Sequence, residues 1–282
     1  MTTKFDIHAD ITNRIVEALE ANINHGDWKM PWARVQGAAL PRNGVTGATY
    51  RGINVLLLGM AGFASNEFAS FKQWQTKGYS VLKGETGTKI VFFKSYKVED
   101  KETGEEKNIP VPRSYTVFAR EQTNAPQIES PVMPNEAERI AQVEAFVDNT
   151  QAAIHWNDSR AFYRPGTDSI HMPAREAFHT TEGLYGTLLH ELIHWTGADN
   201  RCKREFGVTM KDTKYAKEEL VAELGATFLC ASLGVENSIR EDHIQYIKSW
   251  LDVLKGDKKF IFKASAAAQK AVDYLDELQP AE

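Results

Sequence analysis

Two imidazoles and a carboxylate fall in the order His190-Glu191-Leu192-Ile193-His194. On a helix, side chains four positions apart project from nearly the same angle, so His190 and His194 can grip one metal ion. Glu191, beside them, is placed to take a proton from a water on that metal. The chemistry this pattern suits is metal-assisted hydrolysis. The flanking residues must make the helix that aims these groups. Leu189, Leu192, Ile193 and Thr196 follow the i, i+3, i+4, i+7 spacing of a buried face, and Gly197 reads as the C-terminal stop.

A catalytic zinc site commonly takes two His and one Glu and leaves a fourth position for water. Residues 215–229 read as a second helix, with Val221, Leu224, Gly225 and Phe228 on its apolar stripe. Glu219 and Glu223 lie four apart on another face. Glu219 is the expected third ligand. Glu223, one turn on, is expected to accept a hydrogen bond from a ligand histidine. The two roles can be exchanged, and Glu218 is a further candidate. Zinc is the expected metal, although two His and a carboxylate also suit manganese or iron. Tyr163, His171, His179 and Tyr215 are candidates for polarising a carbonyl. Trp156 and Trp195 read as core. Asp168 to Pro173 alternates like an edge strand, which can pair with an extended peptide.

The N-terminal part carries different chemistry. A helix is expected from Asp10 to Asn24, then a turn-rich stretch with glycines at 44, 47 and 52. Short helices are expected over Val55–Met60 and Ser70–Thr76. A strand rich in β-branched and aromatic residues covers Lys89–Val98, and Ser114–Phe118 returns beside it. Aromatic and basic residues interleave here: Trp28, Lys29, Trp32, Arg34, Arg42, Tyr50, Arg51, Lys72, Trp74, Lys77, Lys83 and Lys89. Single-stranded nucleic acid binding needs both, cations for the phosphates and ring faces for the bases. Composition by itself favours the plainer reading, in which the aromatics fill the core of a small domain. No Gly-x-x-x-x-Gly-Lys-Ser/Thr is present, which argues against a nucleoside triphosphatase.

The chain has 282 residues, enough for one large domain or two ordinary ones. Its hydrophobic fraction of 42% and charged fraction of 25% are those of a soluble globular protein. No apolar run approaches the roughly 18 residues needed to cross a bilayer. The N-terminus has no signal-peptide pattern, and Cys202 and Cys230 make no disulfide framework, so a cytoplasmic setting is expected. Charge divides unevenly. Residues 1–128 carry 16 Lys and Arg against 13 Asp and Glu, a net +3, and residues 129–282 carry 17 against 25, a net −8. Pro126, Pro131 and Pro134 fall in an aperiodic stretch between the halves. The expected architecture is α+β in two domains: a small α+β domain over 1–125, a linker over 126–137, and a mainly helical domain with a small sheet over 138–282.

Taken together, the motifs resemble the ArdC-like antirestriction proteins of conjugative plasmids and phages. The N-terminal half is similar to that family's single-stranded DNA-binding domain through Trp28, Pro31-Trp32, Tyr50-Arg51-Gly52-Ile53-Asn54, Phe71, Gln73-Trp74, Lys83-Gly84-Glu85, Gly87, Val117-Phe118 and Gln122-Thr123. The C-terminal half resembles its zincin-like domain through Phe162-Tyr163, Asp168-Ser169-Ile170, Pro173, the His190–Gly197 run and Glu218 to Glu223. The resemblance implies non-specific binding of single-stranded DNA, and a role in shielding incoming mobile-element DNA from host restriction. With it, the DNA-binding candidates are Trp28, Trp32, Arg42, Tyr50, Arg51, Asn54, Trp74, Lys83 and Lys89. Three functions fit the sequence: a zinc metallopeptidase (gluzincin-like) joined to a single-strand-binding module, a DNA-protection protein whose metal site is structural or vestigial, and a regulatory peptidase with no nucleic-acid role. A peptide or protein substrate is expected in the first and third.

Overall fold

The computed structural model describes residues 6–23, 31, 40–99, 106–127, 135–207, 212–235 and 243–281. The elements alternate from the start, and the class is α+β in two modules. The N-terminal module runs α1 (Ile7–Ile23), β1 (Arg42–Asn43), α2 (Ile53–Gly59), β2 (Glu67–Ala69), α3 (Phe71–Thr76), β3 (Thr88–Glu99) and β4 (Glu106–Ala119). Its strands form one sheet in the order β1-β2-β4-β3, with β1 parallel to β2 and the other pairs antiparallel. Helix α3 starts where its sequence says it must. Ser70 Oγ accepts from the Gln73 N–H at 3.3 Å, and Gln73 Oε1 accepts from the Ser70 N–H at 2.9 Å.

The C-terminal module runs α4 (Glu136–Asn149), β5 (Ala153–His155), β6 (Phe162–Arg164), β7 (Ser169–His171), α5 (Thr181–Trp195), α6 (Thr213–Leu233), α7 (His243–Gly256) and α8 (Phe260–Glu277). Its sheet has the order β5-β7-β6. The expected edge strand, β7, is therefore the middle strand, parallel to β5 on one side and antiparallel to β6 on the other. Period-two alternation reports which face is buried, not which strand has a free edge. Most of the linker expected at 126–137 lies outside the described residues.

The two modules share one apolar core. Ile11, Ile15 and Leu19 of α1, Leu56 and Leu57 of α2, and Val91 of β3 belong to the same cluster as Leu192, Ile193, Leu224, Trp250, Ile261 and Leu275. Helix α6 is its axis, packed by α5, α7 and α8. A second, small cluster of Tyr50, Leu58, Phe68, Ile90, Val117 and Ala119 sits in the N-terminal sheet.

Strand β3 matches the expected Lys89–Val98 to within one residue at each end, whereas β4 is much longer than the expected Ser114–Phe118. The pairing of the β3–β4 hairpin continues from Thr88↔Val117 to Glu99↔Glu106. The returning strand includes Pro110 and Pro112, residues that argue against a strand in sequence and are tolerated here because their nitrogens face the free edge. β3 is the outer strand of its sheet, and Asn54 closes that edge locally. The Asn54 amide accepts from the Val91 N–H and donates to the Val91 carbonyl, both at 2.8 Å.

Candidate functional site

Helix α5 begins at Thr180, whose hydroxyl accepts from the Gly183 N–H at 3.0 Å, and is buried from Leu184 to Trp195. Its partner α6 passes very close. A Cβ on Gly225 would lie 2.7 Å from Ile193 Cδ1, so a larger residue would force Ile193 or the helices to shift. The close approach sets the preceding turns of α6, with Glu218, Glu219 and Glu223, against the histidines of α5. All three glutamates are buried, as are His190, Glu191 and His194.

Glu219 faces both Nε2 atoms. Its Oε2 lies 3.5 Å from His190 Nε2, and its Oε1 lies 3.6 Å from His194 Nε2. One donor atom from each of His190, His194 and Glu219 lies within 4.8 Å of the others, and among the described residues no other group of three His, Cys, Asp or Glu does this. The opposite ring nitrogens meet the other two carboxylates. His194 Nδ1 is 3.1 Å from Glu218 Oε1, and His190 Nδ1 is 3.7 Å from Glu223 Oε2.

Arg204 holds Glu218 in turn, through Nε to Oε2 and Nη2 to Oε1, both at 2.9 Å. The same guanidinium donates to Thr196 Oγ1 at 2.8 Å and to the Ile193 carbonyl at 2.6 Å, closing the end of α5. Gly197 makes room for this. A Cβ there would lie 2.6 Å from the Phe206 ring and 3.1 Å from Arg204 Nη2. Gly197 does follow the helix end, but its role is close approach rather than a left-handed stop. Arg204 escaped the sequence reading because it comes from a connecting segment, where no periodicity links it to the helices.

Neighbouring groups set the charge of these carboxylates. Burial by itself raises the Glu219 carboxyl, but the His190 hydrogen bond, the charges of both histidines and the Tyr215 hydroxyl outweigh it and hold the group at about 2. Glu218 is likewise raised by burial, then pulled below the usual range by His194 and Arg204. Two imidazole nitrogens and an ionised carboxylate, with His194 anchored through its Nδ1 by Glu218, are a donor set that fits a small divalent cation.

The trio opens on a cleft of about 370 Å³, whose walls include Glu191, Tyr215, Phe206 and, from β6 and its approach, Arg160 and Phe162. An edge strand does line the cleft, but it is β6 rather than the Asp168–Pro173 segment. Of the expected polarising groups, Tyr163 and Tyr215 line the cleft. The Tyr163 hydroxyl donates to Asp168 at 2.9 Å, and burial with that carboxylate pushes it up to about 12. His171 is engaged elsewhere, by Asp158 at 3.2 Å and Ser169 at 3.1 Å, and neither it nor the exposed His179 lines the cleft.

The expected nucleic-acid residues separate into groups. Trp28 and Trp32 lie outside the described residues. Trp74 is fully buried in the core, which corrects its expected contact with DNA, whereas Tyr50 and Asn54 are buried and hydrogen-bonded but line a cleft at the root of the hairpin. The Trp74 indole donates to the Phe118 carbonyl at 2.9 Å, the Tyr50 hydroxyl donates to the Phe68 carbonyl at 3.1 Å, and Asn54 closes the β3 edge. Arg42 pairs with Glu67 at 2.8 Å, Arg51 pairs with Asp273, and Lys89 lies 3.6 Å from Asp10. Lys83 is exposed. The hairpin is where sequence pointed, but not its exposed face, on which Phe92, Tyr96 and Tyr115 stand beside Lys94 and Arg113. The available signal was the unbroken run Ile90-Val91-Phe92-Phe93, apolar on both faces of a strand with no matching second layer.

Comparison with known proteins accounts for both halves. The sequence model of the N-terminal domain of anti-restriction factor ArdC matches residues 5–118, and that of a zincin-like metallopeptidase matches residues 141–267. The uncharacterized protein y4eC of Sinorhizobium fredii (strain NBRC 101917 / NGR234) is 36% identical, over 97% of this chain and 92% of that protein. A DNA primase TraC of Escherichia coli is 34% identical over 96% of this chain, which spans only 27% of the primase. Two crystal structures of the antirestriction protein ArdC from plasmid R388 superpose over 97% of this chain and 98% of theirs. The metal-free one has a TM-score of 0.79 at 37% identity, and the Mn(II)-bound one 0.78 at 35%. With both domain models matched in this order, and a solved relative followed from end to end, the chain belongs to the ArdC-like antirestriction family.

Proposed function

We propose that this chain is an antirestriction protein of a mobile element, one that binds single-stranded DNA with little sequence preference and carries a zinc metallopeptidase-type centre. The observation that carries the hydrolytic half is the convergence of His190 Nε2, His194 Nε2 and the Glu219 carboxylate at the floor of a cleft that Glu191 also lines. These three residues would hold the metal. A zinc ion there supplies Lewis-acid polarisation of a carbonyl and brings the pKa of a water down to roughly 7. Glu191 is the base that takes the proton of the attacking water and returns it to the leaving amine. Glu218 orients His194 by accepting from its Nδ1–H, Arg204 keeps Glu218 charged, and Glu223 places a carboxylate 3.7 Å from His190 Nδ1. An extended substrate would lie against β6.

The DNA half rests on family membership and on the cationic, aromatic surface of the N-terminal module. One experiment addresses both halves. Wild type, Glu191→Gln and Glu219→Ala are compared for metal content, peptide hydrolysis, single-strand binding and protection of incoming DNA. Glu219→Ala is expected to lose metal and hydrolysis, and Glu191→Gln to lose hydrolysis alone. Both should still bind DNA. Full metal in Glu219→Ala with loss in Glu223→Ala would reverse the ligand assignment. Intact protection in Glu191→Gln would assign protection to DNA binding, with the metal centre serving as a structural clamp.

A further inference from the structure

We infer that one face of the β3–β4 hairpin, with the cleft at its root, is the track on which single-stranded nucleic acid stacks. The inference rests on the single-strand reading above and specifies where it happens. The register places Phe92 opposite Arg113, Lys94 opposite Val111, Tyr96 opposite Ile109 and Ile90 opposite Tyr115, so all of these share one face. Along β3 that face reads aromatic, cation, aromatic at steps of about 7 Å. Phe92 and Tyr115 meet edge to face at 5.6 Å between ring centroids. The Arg113 guanidinium lies 5.9 Å over the Tyr96 ring and donates to its hydroxyl at 3.1 Å. Phe92, Tyr96 and Tyr115 are 47%, 41% and 43% exposed.

A face that leaves three rings in water is a binding surface rather than unfinished core. Its occupant is set by charge and by edge chemistry. Within residues 88–98 and 108–118 this face carries the cations Lys94 and Arg113 and no carboxylate, while Lys89 and Lys97 project from the opposite face, beside Asp10 and Glu106. That suits a polyanion whose bases present ring faces. The free edge of β4 is closed to a peptide strand. Val91 turns its N–H and carbonyl away from β4, to Asn54, so the pairs Val91↔Ser114, Phe93↔Pro112 and Ser95↔Pro110 are those that do not exchange backbone hydrogen bonds. The nitrogens of Pro110 and Pro112 therefore occupy the outward positions, where an added strand would need donors. The β4 edge thus offers an added strand no donors at Pro110 and Pro112, and the exposed rings make the face the ligand surface.

The track leads somewhere. Phe92 also lines a cleft of about 630 Å³ between the N-terminal module and α8, together with Phe93, Phe262, Arg51, Gln269 and Lys270. Its volume is that of a small-molecule site, and its aromatic walls and amide suit one unstacked base with its sugar.

The test uses the full chain and a fluorescein-labelled oligo(dT) 20-mer, with binding followed by anisotropy across a sodium chloride series. Phe92→Ala and Tyr96→Ala should each weaken binding about 5- to 100-fold at every salt concentration, the range for losing one base–aromatic stack. Lys94→Gln and Arg113→Gln should each flatten the slope of log affinity against log salt by about 0.7. Ala266→Trp fills the cleft from an exposed position on α8 and should weaken binding several-fold. Thermal midpoint and metal content, unchanged in all five variants, show that each is folded. A duplex of the same length should be little affected by the ring deletions. Wild type that binds, with all five variants binding equally well, overturns the track while leaving the single-strand reading standing. Wild type that fails to bind at low salt overturns the reading itself. Equal losses on single strand and duplex overturn stacking in favour of a general polyanion surface.

Discussion

Arg204 is the residue through which the metal centre is most open to test. It touches none of the three converging donor atoms, yet it fixes Glu218, which fixes His194. Arg204→Ala leaves a buried carboxylate beside His194 without its counter-charge, and partners of this kind typically account for 10- to 100-fold in metal affinity. Competition with a chelator should show a loss of about that size. Glu191→Gln, which removes only the proposed base, should keep wild-type affinity. A variant Arg204→Ala that holds metal as tightly as wild type would make the arginine a helix-end clasp alone. The contrast between the two residues also explains what was legible. His190, Glu191 and His194 are related by helical spacing, and Glu219 stands on one face of the next helix, so periodicity picks out each set while the Gly225 crossing brings the two together. Arg204 reaches the site only because Gly197 and the packing of the connecting segment allow it. The aromatics of the N-terminal half show the complementary failure. Trp74 and Phe92 look alike in sequence, and only the sheet decides that one is core and the other surface.

Elements carry the next set of constraints. Gly225 sets the separation of α5 and α6. Gly225→Ala would place a methyl group within 2.7 Å of Ile193, and overpacking of that kind costs about 1–3 kcal/mol. Thermal unfolding should show the loss, and metal affinity should fall with it, because the same crossing sets the distance from Glu219 to the histidines. Asn54 does for β3 what a neighbouring strand would do. Asn54→Ala strands the Val91 N–H and carbonyl, each at a cost of about 1–3 kcal/mol if kept from water. Amide exchange at Val91 should accelerate in that variant while the helices stay protected. Glu144 ties α4 to α5, accepting from the Tyr185 hydroxyl at 2.6 Å and from Arg175 at 2.5 Å. The Arg175 hydrogen bond, against the cost of burial and helped by Tyr185, holds its carboxyl below the usual range. A depressed carboxylate contributes stability above its unfolded pKa, and that contribution disappears as pH falls through the lower folded value. Glu144→Gln should therefore be less stable than wild type near neutrality and converge with it in acid. Most elements were readable from hydrophobic period and caps. The misplacement of β7 and the shortened β4 were not, because alternation is silent on neighbours and proline hides a strand whose outer edge is free.

At the scale of the whole molecule, two matched domains do not make two independent bodies. Ile11, Ile15 and Leu56 from the N-terminal module lie in one cluster with Leu192, Trp250 and Leu275 from the C-terminal one. Separating the modules would expose a continuous apolar face on each, and surfaces of that kind are unstable in water. Residues 1–127 produced alone should therefore aggregate or remain unfolded. A specific protease site introduced within 128–134 should yield two fragments that still elute together. The intact chain should unfold in one calorimetric transition, and two well-separated transitions would show that the shared core is not cohesive. Such cohesion has a functional consequence. Helix α8 forms a wall of the cleft beneath the hairpin and also packs on α6, which carries Glu219. A metal that binds only the folded state stabilises it by RT ln(1 + [L]/Kd), and in a single cooperative unit that stabilisation spreads to every element. Chelation should then lower the one transition without splitting it. Hydrogen exchange in β3 and β4 should speed up together with exchange in α5 and α6, although the hairpin touches none of the residues that would hold the metal.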